Sequence, residues 1–128
     1  MPLNTYNAIN TFMRCDSELV GKPDVVISGI PFDLATTYRP GARFGPAAIR
    51  TASAQLGRRK LFPWGFTPLE RIQVVDRGDL QLDAHNPLNI SNAIVEHAQN
   101  ILYEGCKMLS FGGSLCDLSV AYCSRRVL

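Results

Sequence analysis

The sequence lacks a dominant sign of charge. Lysine and arginine number 13 against 11 aspartates and glutamates, a net +2. That balance excludes the basic footprint of a nucleic-acid binder and the polybasic patch of a membrane-surface protein. No apolar run approaches the roughly 18 residues needed to span a bilayer. The opening residues 1–15 lack a basic start followed by an apolar block, so no secretory signal is read there. A cytoplasmic protein is the expectation, with a mitochondrial location left open. The four cysteines (Cys15, Cys106, Cys116, Cys123) have neither CxxC spacing nor the density of a disulfide scaffold. What is present is a globular composition, 46% hydrophobic and 19% charged over 128 residues, which suits a single domain.

No repeat, low-complexity tract or linker divides the chain. A short helical turn is expected around 9–13. The apolar run at 24–30 is rich in β-branched residues and stops at Pro31, which predicts a buried strand. A long loop follows to Gly45. Pro46 then opens a predicted helix over 46–56, with Ala47, Ala48, Ile49, Ala52 and Leu56 at helical spacing and Gly57 as terminator. Arg58, Arg59 and Lys60 read as a solvated helix end rather than an anion patch. The aromatic turn FPWGF at 62–66 is expected to pack over a sheet edge rather than to form a ligand box. A second strand is predicted at 72–75 and a long helix at 87–104. In that helix Ile90, Ala93, Ile94, His97, Ala98, Ile101 and Leu102 define one apolar face. A third strand is predicted at 107–111. Strand, helix, strand, helix, strand is the order of an α/β protein with a parallel sheet and crossover helices.

In such sheets chemistry collects at the carboxyl ends of the strands. Those ends offer Asp33, then Asp76 and Asp79, then Gly112 and Gly113. The carboxylates are open to two readings, cation ligands at adjacent strand ends or helix caps and turn formers. A dinucleotide site would need GxGxxG after the first strand. The sequence has GIPFD at 29–33 instead, and Pro31 has no amide to offer a pyrophosphate. Asp79, Asp83 and His85 are close in sequence but lack the spacing that would converge them on a metal. His97, on an apolar helix face, reads as a packed, hydrogen-bonded core histidine. The GSL text at 113–115 is not the GxSxG nucleophile elbow.

One longer text is far more specific. GIPFD at 29–33 is followed by TYRPGARFGPAAIR at 37–50, giving R-x-G-x-R-x-G-P-x-x-I-R. With FPW at 62–64, VVDRGD at 74–79 and KMLSFGG at 107–113 in the same order, the chain resembles the ureohydrolase (arginase/agmatinase) family, on its agmatinase side. The resemblance covers about 20–113. It implies the amino-terminal portion of a three-layer α/β/α arginase-like fold over 1–113, with a tail of foreign character over 114–128.

The resemblance also implies function. The family's enzymes are binuclear manganese hydrolases that release urea from a guanidino compound, agmatine giving putrescine, and 4-guanidinobutanoate is a further candidate substrate. Paired cations turn water into a nucleophile at neutral pH, held by carboxylates and imidazole. In the family the third strand continues Gly-Gly-Asp-His, and that histidine is the first metal ligand. Here Ser114 stands at the aspartate position and Leu115 at the histidine position, and a leucine cannot ligate a metal. The family's later acidic–imidazole clusters have no counterpart before Leu128. The expectation is therefore a chain that binds no manganese and is inactive as given. The alternative is a non-catalytic paralogue that associates with full-length subunits, in a family that tends to form homo-oligomers. In a complete enzyme the 33–45 loop would help wall the substrate mouth. Asp33, Arg39, Gly41 and Arg43 are its candidate residues, either at that mouth or holding the loop together through ion pairs. Codons exist for the tail that, shifted by one base, read His-Phe-Val-Thr-Phe-Pro-Leu-Leu, close to the family text, so a shifted reading frame is the expected origin of 114–128. A sheet lacking its later strands would leave an open edge, and a partly folded or aggregation-prone product is expected.

Overall fold

The computed structural model describes residues 10–34, 36–57, 59–83 and 86–112. The strands are β1 (Val25–Ile30), β2 (Val74–Asp79) and β3 (Lys107–Gly112), and the helices are α1 (Gly45–Ser53) and α2 (Pro87–Tyr103). All pairings are parallel, in the order β2-β1-β3. β1 is central because it has the most apolar text. Five of its six residues are buried, as a strand covered on both faces requires.

Side chains alternate along β1, and the two helices take opposite faces. Val26, Ser28 and Ile30 face α2. Val26 packs with Ile101 and Cys106, and Ile30 with Ile90 and Ile94. Between these two clusters the Ser28 hydroxyl and His97 Nε2 share a hydrogen bond of 2.7 Å. His97 is thus hydrogen-bonded between the two clusters as expected, but it is half-buried rather than a core residue. Gly29 faces α1, where a Cβ would stand 2.9 Å from Cβ of Pro46 and collide with the Asp79 carboxylate. Only a glycine lets α1 and Asp79 approach this close. The layers are helix, sheet, helix, as expected.

Several boundaries and faces differ from expectation. The second strand is not 72–75. It begins at Val74 and runs through Asp79, so Asp76 and Asp79 belong to the strand rather than to a turn beyond it. The first helix spans 45–53 rather than 46–56, and the second ends at Tyr103 rather than at 104. The first strand starts at Val25 and the third runs on to Gly112. Gly57 does not cap α1. It sits where the Met13 carbonyl passes, with room for no Cβ. The short turn near the start is a 3-10 turn at Phe12–Arg14; Ile9, at the start of the expected span, lies outside the described residues.

The α1 correction is the largest. Its expected apolar face is turned outward, with Ile49 39% and Leu56, just beyond its end, 45% exposed, while the buried positions are Pro46, Arg50 and Ser53. The FPWGF turn likewise does not cover a sheet edge. Phe62 is 98% and Trp64 60% exposed. The turn is closed on itself by the Leu61–Phe66 bridge, Trp64 stacks on Phe66, and the Arg71 guanidinium lies 3.8 Å over the Phe66 ring. Local ring and cation contacts satisfy this segment without the sheet.

Truncation should separate the two helix faces. Ile94→Ala should cost about 2–5 kcal/mol, because it empties a fully packed position. Ile49→Ala should stay within about 0.5 kcal/mol, as an exposed substitution does. Urea unfolding midpoints check both, and a costly Ile49→Ala would return α1 to the orientation its spacing suggests.

Candidate functional site

Two arginine–carboxylate clusters occupy the carboxyl ends of β1 and β2. In the first, β1 runs through Pro31 and Phe32 to Asp33, which is 5% exposed. One carboxylate oxygen accepts the Gly41 amide at 2.8 Å and Arg43 Nε at 3.0 Å. Asp33 therefore pinches the base of the loop, drawing its far end to the strand from which the loop leaves. Gly41, with φ +140°, supplies a conformation few other residues reach. Burial works to raise the Asp33 pKa, but the Arg43 guanidinium and the Gly41 and Arg43 amides outweigh it and hold the carboxyl below its usual range.

Arg39 is not in this pair. It is exposed, has φ +56°, and lies 5.2 Å over the ring of its neighbour Tyr38. Of the candidate loop residues, the structure brings together Asp33, Gly41 and Arg43 and leaves Arg39 at the tip.

The second cluster is centred on Arg50, which α1 carries on its buried face. Its guanidinium meets Asp76 in a two-point contact, Nε to Oδ2 at 2.8 Å and Nη2 to Oδ1 at 2.9 Å. Its Nη1 donates to Asp79 Oδ1. Asp76 is 2% exposed and also accepts the Phe12 amide at 2.8 Å and the Gly78 amide at 2.9 Å. Four donors thus fill its two oxygens, as a buried carboxylate requires. Burial again works to raise the Asp76 pKa, and Arg50 with the two amides holds it low. Arg50 is in turn held firmly protonated, first by its hydrogen bonds to Asp76.

The segment before β1 is strapped to the same cluster. The Met13 amide donates to Ser53 Oγ at 2.8 Å, and the Asp76 amide donates to the Asp16 carbonyl at 3.0 Å along the outer edge of β2. Cys15 lies buried here, its thiol pushed up to about 11 by burial and by the charges of Asp76 and Asp16, which leaves it unreactive.

Asp76 and Asp79 are therefore neither helix caps nor ligands waiting for a cation, because both are committed to Arg50. Sequence reasoning missed Arg50 as a site residue. The signal was in hand, as the last letter of the R-x-G-x-R-x-G-P-x-x-I-R text, where a helical position of charged type sits one turn after Pro46. Among the described residues no three His, Cys, Asp or Glu side chains could together hold a metal ion. The manganese implied by resemblance does not fit the donors at these strand ends. Ser114, Leu115 and His85 lie outside the described residues.

A three-layer parallel sheet, with acidic and arginine-bearing loops at the carboxyl ends of its strands, belongs to the α/β class that puts its chemistry at that end. Within this class the chain is a member of the arginase family, whose sequence pattern it matches over residues 23–126. That range extends past Ser114 into the stretch the sequence alone sets apart. The agmatinase of Chromobacterium violaceum is 55% identical over 111 residues, covering 86% of this chain and 34% of that protein. A crystal structure of a hypothetical agmatinase from Burkholderia thailandensis superposes with a TM-score of 0.86 at 47% identity, covering 95% of this chain and 39% of the other. Proclavaminate amidino hydrolase from Streptomyces clavuligerus gives a TM-score of 0.78 at 32% identity, covering 94% and 40%. The chain spans about a third of the length of the curated relatives it matches.

Removing one partner of the buried network should be costly. Asp76→Asn leaves Arg50 buried beside a neutral amide and should lose about 3–5 kcal/mol of stability in urea unfolding. The pH dependence should fall into two windows. His97 is depressed by burial and by nearby Arg77, so its contribution is complete above about pH 6.5 and is lost as pH falls below that value. Asp76 is also depressed, so its contribution is complete above about pH 4 and is lost as pH falls through its lowered folded value. His97→Gln should remove the upper window, and Asp76→Asn should shrink the lower one, to which Asp33 also contributes. Unchanged acid profiles in both variants would refute the assignments.

Proposed function

We propose that this chain carries the amino-terminal part of an agmatinase-type ureohydrolase and that, as given, it does not turn over substrate. The single observation behind the reading is Leu115 at the position where the family has its first liganding histidine. The acidic groups nearest to hand cannot substitute, because Asp33 is held by Arg43 and Asp76 and Asp79 by Arg50. In a complete enzyme the loop pinched by Asp33 walls the mouth of a site for a guanidino compound, agmatine first and guanidino acids second. The reaction there is manganese-assisted hydrolysis of a carbon–nitrogen bond to give urea, putrescine being the other product from agmatine. We read residues 1–113 as the partial ureohydrolase domain and 114–128 as the product of a shifted frame, a reading that the nucleotide sequence across Gly113 tests directly. Codons incompatible with the alternative frame would remove it.

A second reading, a non-catalytic partner of full-length ureohydrolase subunits, is favoured by the exposed aromatic turn at 62–66. Exposed Phe62 and Trp64 are residues of the type that anchors interfaces. Co-purification with a complete ureohydrolase would support that reading.

The purified chain, supplied with manganese and either agmatine or 4-guanidinobutanoate, should release no urea above a no-protein control and should retain no manganese after desalting. Stoichiometric metal together with turnover would overturn the proposal.

A further inference from the structure

The segment before β1 is fastened to three elements, mostly by polar contacts. Residues 10–16 reach α1 through the Met13 amide, which donates to Ser53 Oγ, and the Asn10 side chain, which donates to Thr51. They reach β2 through the Phe12 amide on Asp76 and through the Asp16 carbonyl, which accepts the Asp76 amide. They reach β3 through the Phe12 ring against Phe111, with centroids 5.2 Å apart. Beneath this strap lies the Arg50 cluster, and the Phe12 amide is one of the four donors to Asp76.

The backbone of the strap is strained. Met13 and Arg14 have φ of 49° and 56°, two consecutive left-handed residues of which neither is glycine. That conformation raises the free energy at each residue and persists only while the surroundings over-determine it. Here the Thr11 hydroxyl donates to the Cys15 carbonyl at 2.6 Å, and the Arg14 and Cys15 amides close the turn on the carbonyls of Thr11 and Phe12. Apolar burial in the strap amounts to Met13 and Cys15, with Phe12 half-buried. The sheet below is held instead by the two clusters between β1 and α2. A strained segment with few apolar contacts, lying on a well-packed sheet, is of the kind that opens before the rest.

Release of the strap reaches further than the strap itself. It takes one donor from Asp76 and one from Ser53, and it admits water to the Arg50 fork that sets the roll of α1. The turn Ala42–Phe44, which carries Arg43, runs directly into α1, and Gly41 precedes it. A shift of α1 therefore acts on the Gly41 and Arg43 contacts to Asp33.

We propose that residues 10–16 form a strained latch, which opens as a unit while the sheet stays folded and which, on opening, releases the loop after β1 from Asp33.

Native-state hydrogen exchange resolved by residue tests the proposal. In the unsubstituted chain the amides of Phe12, Met13, Cys15 and Asp76 should exchange together. They should be about tenfold or more faster than those of Val26 and Ile27 in β1, yet slower than in an unfolded chain. Substitution at Arg14, whose side chain is exposed, changes chiefly the backbone strain. Arg14→Gly accepts the left-handed conformation freely and should reduce opening by about threefold. Arg14→Val, β-branched, should increase it by a similar factor. The Gly41 amide should follow the strap in both variants, while the β1 amides stay as they were. Strap amides as protected as those of β1, or without protection, would overturn the proposal, and the unsubstituted chain decides this even where a variant fails to fold. Folded Arg14 variants with unaltered or reversed strap exchange would also overturn it, as would a Gly41 amide that does not follow.

Discussion

The described part of this molecule depends on one buried cation. Arg50 enters from α1 and is held by two carboxylates of β2, of which Asp76 is itself closed off by backbone amides from the 10–16 segment and from its own strand. A guanidinium cannot be buried at low cost without such partners. Once they are in place, its planar fork fixes the roll of the helix over the sheet more tightly than apolar packing does. Pro46 is pressed down on Gly29, the 10–16 segment is pulled against Ser53, and the outer edge of β2 is covered. A neutral helix of the same length would have been free to lay Ile49 and Leu56 on the sheet. Here the ion pair wins, and those two side chains face water.

This explains which parts of the fold could be read in advance and which could not. α2 follows the hydrophobic rule. Ile90, Ile94, Ala98 and Ile101 recur at helical spacing, and all four are buried, so its extent and face were legible from periodicity alone. α1 breaks the rule because its inward face is Pro46, Arg50 and Ser53, and periodicity counts only apolar residues. Strand β2 was misread for the same reason. Its second half, DRGD, looks like a turn because acidic residues and glycine are depleted in strands, yet two of those charges are neutralised by a partner 26 and 29 residues away. What no local rule could supply was that long-range partner. It was written in the family text of the 37–50 stretch as a pattern without a stated reason.

The site follows a similar logic. The loop after β1 was legible as a loop, and the Asp33–Arg43 pair is one of the ion pairs that its composition allows. Which arginine of the two closes the loop was not legible. Arg43 sits one turn from the helix start and can reach back to Asp33, while Arg39 is carried to the tip by a left-handed backbone at the far end of the span. The described carboxylates at these strand ends are thus spent on holding structure. Ligands for a divalent cation would have to come from groups other than these. The division of labour is physical as much as historical. A carboxylate fixed by a guanidinium shares too little negative charge to compete for a divalent cation, and one that ligates a cation cannot also lock a helix.

The same division bears on the state of β3. Its register against β1 is unbroken over all six residues, whereas β1 and β2 slip between Ile27 and Gly29. β3 is therefore the more regular neighbour, and it meets the α2 layer through Met108. Among the described residues no segment bridges its opposite edge. A strand with regular hydrogen bonding on one side and a low-charge, half-apolar text on the other is built to be interior to a sheet. The charge of the described sheet is concentrated on β2, and β3 adds to it only the amine of Lys107.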